Sequence, residues 1–431
     1  MEKKEDYNIE ANQPLENSEY NLANKHDQLE RGLKSRHIQF LALGGAIGTG
    51  LFIGSGSILS STGPASLFLA YLSMTVVVWT VMNNLAEMVT YLPMRGITVP
   101  YFVGRFLDPS LAFAVGWNYW YAYAMLIGAE ATAAGIIIDY WGLPVNIAVW
   151  ISIVLVVMLL LNIIAVSFFG EAEFWFASIK LITICGLIIL GIVIFFGGAP
   201  NQDGILGFHY WKTGGAFLEY KAAGSLGRFL GYWHAFVSSL VLYSMSLNGQ
   251  APKCFGVTNS RGVPYVAVLF TWAFGMLAFL NVSNTGATVF NWFVSISTIS
   301  GFIAWIVVML TYLRFRRAME FNNLLNVLPY RTALQPYATY FTLVIVSLLT
   351  LTSGFQTFMP FNAKDFIATY ITIPVFLAFY LGHKLYHRTP LYIPVEQIDA
   401  ITGKKEMDEL EAMGEERVPR NLLEKIWFWL A

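Results

Sequence analysis

Charge is what this chain has least of. Asp, Glu, Lys and Arg make up 12% of its 431 residues, about half the roughly 25% usual in soluble domains. A water-exposed surface over the whole chain is therefore excluded. Cysteine is scarce as well. Two residues, Cys185 and Cys254, support neither a disulfide framework nor a metal site. No basic run interleaved with aromatics is present, so nothing points to nucleic acid. The polar stretch 1–37 has no apolar signal core, and insertion is expected to use the first true span. The chain also lacks a phosphate-binding glycine loop ending in Lys-Ser/Thr, a His/Cys set at metal spacing and a nucleophile elbow. Enzymatic chemistry and a cofactor are not expected. A net charge of −1 favours no partner.

What the sequence has in quantity is apolar residues, 56% of the total. They fall in blocks of about 20, the length that crosses a hydrocarbon core as helix. The shorter alternating segments of a strand barrel are not seen. Ten spans are expected, near 38–60, 65–91, 111–139, 145–166, 173–196, 229–247, 264–283, 287–313, 337–358 and 366–385. They define a transmembrane region over 38–386, flanked by a disordered polar tail at 1–37 and a charged tail at 387–431. Lys34, Arg36, Arg95, Arg105, Lys253, Arg261, Arg314, Arg316, Arg317, Arg331, Lys384 and Arg388 all fall on one side of the bilayer. The preference of cationic loops for the cytoplasm then places both termini there. Lys212, Lys221 and Arg228, in the long loop at 197–227, run mildly against that rule.

Span one holds glycine at 44, 45, 48, 50 and 54. Each weakens a helix by about 1 kcal/mol relative to alanine. A helix broken there would free backbone amides for a carboxylate and carbonyls for a cation or ammonium group, an arrangement that carriers use. Close helix packing through Gly44 and Gly48 is the plainer alternative. Ionisable residues inside expected spans include Glu87, Glu130, Lys180 and His234. A charge at mid-bilayer costs several kcal/mol unless it faces a cavity or a partner. Lys180 either does so or snorkels about two turns to the interface. Glu87, near a span end, reads equally as an interfacial carboxylate. Glu130 follows the aromatic stretch 117–123, which an aromatic belt also explains. His234 reads as a hydrogen-bonded interfacial residue.

Several motifs carry a family resemblance. The stretch from Gly45 to Gly54, with Ala86-Glu87-Met88 and Tyr91-Leu92-Pro93, resembles the amino acid–polyamine–organocation superfamily. Gly116 to Tyr121, Glu173 to Lys180, Gly231 to His234, Asn248 to Pro252 and Pro329-Tyr330-Arg331 with Gln335-Pro336-Tyr337 narrow it to the fungal (yeast-type) amino acid permeases, nearest the proline branch. The resemblance covers nearly all of residues 30–400. It implies an all-α membrane protein with the LeuT-like inverted-repeat transporter fold, and proton-coupled import of neutral amino acids such as proline at the plasma membrane. The substrate carboxylate would meet Ala46, Ile47, Gly48, Thr49 and Gly50, with Glu130 near the site. Lys180 and Glu87 would serve proton coupling. Amino acid, protons and lipid are the implied partners; the lysines of the polar tail are candidate ubiquitin acceptors for turnover, a solvated tail being the plainer reading.

The chain departs from that family pattern in one place. Family members have twelve spans and a broken sixth helix after the Gly-Tyr-Trp-His segment. Here Gly231-Tyr232-Trp233-His234 runs directly into what resembles the end of the eighth helix, with the junction near 236–240. About a hundred residues would be missing, leaving ten spans and an incomplete second repeat. The alternative reading that follows is a non-transporting splice or gene-model variant, or a sensor-like homologue.

Overall fold

The computed structural model describes residues 48, 52, 54–92, 99–142, 144–164, 166–200, 202, 204–213, 215–239, 265–282, 286–390, 393–402 and 404. Among them, regular structure is helical apart from one isolated bridge between Phe358 and Phe361. The principal helices are α1 (Ser55–Thr62), α2 (Pro64–Tyr91), α3 (Val99–Phe106), α4 (Pro109–Asp139), α5 (Ile147–Ile164) and α6 (Val166–Phe195). They continue with α7 (Gly224–Ser239), α8 (Tyr265–Gly275), α9 (Gly286–Phe321), α10 (Tyr337–Thr352), α11 (Ala363–Tyr370) and α12 (Thr372–His387). A 3-10 segment, Met276–Val282, extends α8.

A helix occupies each of the ten expected positions. Five described helices are long and apolar enough to cross a bilayer, and the pair α11 and α12 makes a sixth as one bent span. The pair covers the span expected over 366–385 and is bent by 41°. Pro374, in the first turn of α12, has no N–H to donate back into the preceding turn. Spans one and six are described only in part, by α1 and α7. The charged tail beyond Lys404 and the fused end of span six after Ser239 lie outside the described residues.

Local sequence explains the main breaks. Between α1 and α2, Gly63 takes φ +89° and Pro64 opens the next helix, where its missing N–H is no loss. A side chain at 63 would also sit 2.8 Å from the Ala216 carbonyl. Around it Ala65 N–H donates to Ala216 O and Leu218 N–H to Thr62 O, tying the 216–218 loop to the α1–α2 junction. At the other end of the molecule, Asp108 caps α4 by accepting from Ser110 N–H at 2.9 Å, with Pro109 in the first turn.

α9 is the central element. Its 36 residues rise about 54 Å at 1.5 Å each. Of its most apolar window, 72% is buried, against none for the corresponding window of α6. α9 packs along α4 and touches α2, α3, α10, α11 and α12. Small residues permit the close approach: a Cβ on Gly128 of α4 would lie 2.9 Å from the Phe293 ring. The largest core joins α2, α3 and α9 through Tyr91, Phe102, Phe106, Met309 and Phe315. Phe106 and Phe315 meet edge to ring at 5.2 Å, a preferred aromatic geometry.

Candidate functional site

The two ends of the helix bundle are built differently. At one end, α2 finishes with Asn83, Asn84 and Glu87, Glu87 standing four and three residues from the two asparagines, spacings that bring side chains to one face. Glu87 is fully buried. Its carboxylate accepts from the Tyr312 hydroxyl at 2.7 Å and from Thr332 N–H at 2.7 Å, and lies 3.9 Å from the Arg316 guanidinium. Arg316 also donates to the Tyr312 hydroxyl at 3.0 Å. Asn83 Oδ1 accepts from the hydroxyls of Tyr330 and Thr332. Asn84 Oδ1 accepts from Gln335 at 3.0 Å and Thr339 at 2.9 Å. A buried carboxylate is tolerable only when paired and hydrogen-bonded, and here the partners come from α9 and the 330–339 segment. The network joins α2, α9 and α10 at this end.

A second belt closes the same face. Lys384 on α12 pairs with Asp108 at 2.5 Å and donates to Pro390 O. Residues 393–402 then lie across the helix ends. Tyr91 donates to Ala400 O, Arg105 donates to the carbonyls of Asp399 and Thr402, and Arg314 donates to Ile393 O. Ile398 and Ala400 are buried. Burial pushes the Asp399 carboxyl upward, but hydrogen bonds from Thr402 and Ile401 and the nearby Arg105 charge outweigh it and hold its pKa below the usual value. The polar tail expected from the sequence thus begins as a strap.

The other end opens into a cavity of about 570 Å³, within the range of about 300–1,000 Å³ for small-molecule sites. Ser57 and Ser61 of α1, Tyr71 of α2, His234 and Ser238 of α7, and Asn291, Trp292 and Ser295 of α9 form its walls. Tyr220 and Lys221 from the loop before α7, and Gln356, Asn362 and Asp365 around the start of α11, form its rim. The Tyr220 ring stacks on His234 with centroids 4.7 Å apart, and its hydroxyl donates to Gln356 Oε1 at 2.6 Å. Burial pushes the Tyr220 hydroxyl upward in pKa. Asp365 Oδ1 accepts from Trp292 Nε1–H and Oδ2 from the Asn362 amide, both at 2.7 Å. Asn362 in turn caps α11.

The residues expected from sequence to form the site are placed as follows. Gly48 is buried and non-helical, while Ala46, Ile47, Thr49 and Gly50 lie outside the described residues. Gly54 lines the cavity directly before α1. Glu130 is half-buried on α4 and Lys180 half-buried on α6; neither lines the cavity. The helix bearing Lys180 starts at Val166, so the lysine stands farther into its helix than the expected two turns. Glu87 belongs to the closed face, not to the cavity or the solvent interface. His234 does line the cavity. Sequence reasoning missed Tyr220, Lys221, Trp292, Gln356 and Asp365. The only signal for any of them was the helix-capping spacing of Asn362 and Asp365.

Comparison with known proteins gives a consistent match. The family model described as amino acid permease matches residues 37–240 and again 234–392. The two matched stretches meet at the end of α7. The chain is 42% identical to a proline-specific permease of Emericella nidulans over 518 aligned positions, covering 94% of each protein. It is 43% identical to a probable proline-specific permease of Schizosaccharomyces pombe, covering 90% of each. With a proline-specific permease of Saccharomyces cerevisiae it shares 38% identity over 89% of this chain and 80% of the relative. The 518 aligned positions outnumber the 431 residues of the chain, so the Emericella protein carries an internal segment opposite which this chain has no residue.

Proposed function

The chain belongs to the amino acid permease family, and from that premise we propose that it imports a neutral amino acid, proline foremost, with protons as the coupling ion. The observation that carries the substrate is the identity of 42–43% to two proline-specific permeases over at least 90% of the chain. Orientation follows from charge. The closed end carries Arg105, Arg314, Arg316, Arg317, Arg331, Lys384 and Arg388, and the cavity end carries Lys212, Lys221, Arg228 and Lys364. The more cationic end is cytoplasmic, so the cavity faces outside, at the plasma membrane. Substrate then meets a polar, water-accessible cavity while the opposite face is shut, the outward-facing half of an alternating-access cycle.

In this reading the backbone from Ala46 to Gly50, leading into Gly54 at the cavity wall, offers amides to the substrate carboxylate. Glu130 stands near that site. Lys180 and Glu87 are the two groups proposed for proton coupling. Glu87 has a direct structural means, because protonating it would weaken its hold on Tyr312, Arg316 and Thr332 and so loosen the closed face.

Uptake of labelled proline in fungal cells lacking their own amino acid permeases tests the proposal. Accumulation that collapses with a protonophore is the expected result. Normal surface expression with no uptake overturns it, and would favour a non-transporting role for a chain without the internal segment of its relatives.

A further inference from the structure

The cavity holds two charged side chains of opposite sign, Lys221 and Asp365. Among the described residues, neither is used in an ion pair: the pairs present are Arg105 with Asp399, Arg228 with Glu219, Arg316 with Glu87 and Glu320, and Lys384 with Asp108. The two charges therefore stand more than 4 Å from each other and from any other opposite charge among those residues. Asp365 is fixed in place by neutral donors alone, Trp292 on one oxygen and Asn362 on the other. An ionised carboxylate has about four acceptor positions, so two bonds leave capacity for an ammonium group. Lys221 brings three donors and no acceptor. It lines the same cavity, in the segment whose neighbour Tyr220 is anchored on Gln356 and His234.

We infer that these two residues form an outer binding site for zwitterionic amino acids, Asp365 receiving the primary or ring ammonium group and Lys221 the carboxylate. One cation and one anion, unpaired with each other in a single water-accessible cavity, are the charge complement of a zwitterion. A second net charge on the ligand would have no partner there, so a neutral side chain is selected. The site is distinct from the backbone of Ala46 to Gly50, and it would load substrate from outside before the inner site is reached. The inference rests on the reading of the cavity as the outward-facing path for substrate. A purely structural Asp365, serving only to hold Trp292 and the start of α11, would be indifferent to the charge of the ligand.

Equilibrium dialysis of the purified full chain with labelled proline, competed by N-acetylproline and by prolinamide, separates these roles. N-acetylproline lacks the cationic group and prolinamide lacks the carboxylate. Asp365→Asn is expected to weaken proline about tenfold, the loss of one charge-assisted hydrogen bond of ordinary strength, and to leave N-acetylproline unchanged. Lys221→Gln is expected to weaken proline about threefold, because an exposed ammonium is screened by salt, and to leave prolinamide unchanged. Asp365→Glu, which keeps the charge, is expected to bind close to wild type. Proline affinity unchanged in both variants, equal loss for all three ligands, or no binding of proline by the unaltered chain would each overturn the site. Binding in the expected pattern without cellular uptake would remove the transport reading and leave the site standing. Uptake together with unaltered binding in both variants would do the reverse.

Discussion

The two ends of this bundle hold comparable numbers of polar side chains and use them in opposite ways. At the tail end they are paired with one another. Glu87 has Tyr312, Thr332 and Arg316, and Asp108 has Lys384. At the cavity end Lys221 and Asp365 face a shared space of about 570 Å³ without pairing. Buried polar groups cost free energy unless they are satisfied. A face whose charged groups are paired is the closed one, and a face that leaves charges facing water is fitted to receive a ligand. The difference also locates the moving parts. Opening the tail end requires breaking named pairs around Glu87, whereas closing the cavity requires only that a ligand bridge its rim.

The largest expected effect breaks the closed face. Glu87→Ala leaves the buried Arg316 with only the half-exposed Glu320 as counter-charge and strips the Tyr312 hydroxyl and Thr332 N–H of their acceptor, and is expected to destabilise the protein by about 3–5 kcal/mol, read as a lowered unfolding temperature in detergent. An unchanged temperature would mean that the network does not hold this end. Next comes the strap. Arg105→Gln removes charged donors to the Asp399 and Thr402 carbonyls, a local loss of about 1.5–3 kcal/mol. Protease cleavage within 393–402 should become at least about tenfold faster with global stability little changed. The lowered pKa of Asp399 fixes the pH behaviour of the strap. Its contribution is fully present above the ordinary carboxylate value of about 3.9 and is lost as pH falls through the lowered folded value. Cleavage in the unaltered chain should accordingly be flat between pH 5 and 8.

A smaller change sharpens the cavity end. Gly63→Ala forces a side chain onto the Ala216 carbonyl at a φ of +89°, a cost of about 1–2 kcal/mol. Amide exchange should quicken at Ala65 and Leu218, with the network at Glu87 unaffected. Faster exchange at Thr332 instead would mean that the two ends are not separable. The smallest effect is expected from Glu320→Gln. Its pair with Arg316 is half-exposed, and the change in stability should stay below about 0.5 kcal/mol.

The helices were legible because membrane spans are long apolar blocks, and Pro109 with Asp108 or Pro64 with Gly63 mark their starts in the ordinary way. The bend at α11–α12 was less so, since a proline in a first turn reads as an innocuous start. The cavity was largely illegible. Lys221 and Asp365 stand 144 positions apart, and each by itself is a solvated residue at a span end. The strap was missed for a similar reason. Ile393, Ile398 and Ala400 are scattered among polar residues at the start of the tail, and nothing in such spacing says which surface they cover. Glu87 was visible as an ionisable residue inside a span, but its partners come from a helix and a loop more than 220 positions later.

The central claim is that the cavity faces outside while the tail end is shut. Cysteine accessibility in intact cells tests it most directly, in a chain whose Cys185 and Cys254 are first changed to serine. Ser295→Cys, in the cavity wall, should react with a membrane-impermeant maleimide added outside, and proline should slow the reaction. Thr339→Cys, buried in the network at the other end, should not react from outside. Labelling of Thr339→Cys from outside, or labelling of Ser295→Cys only after the cells are permeabilised, would contradict the account.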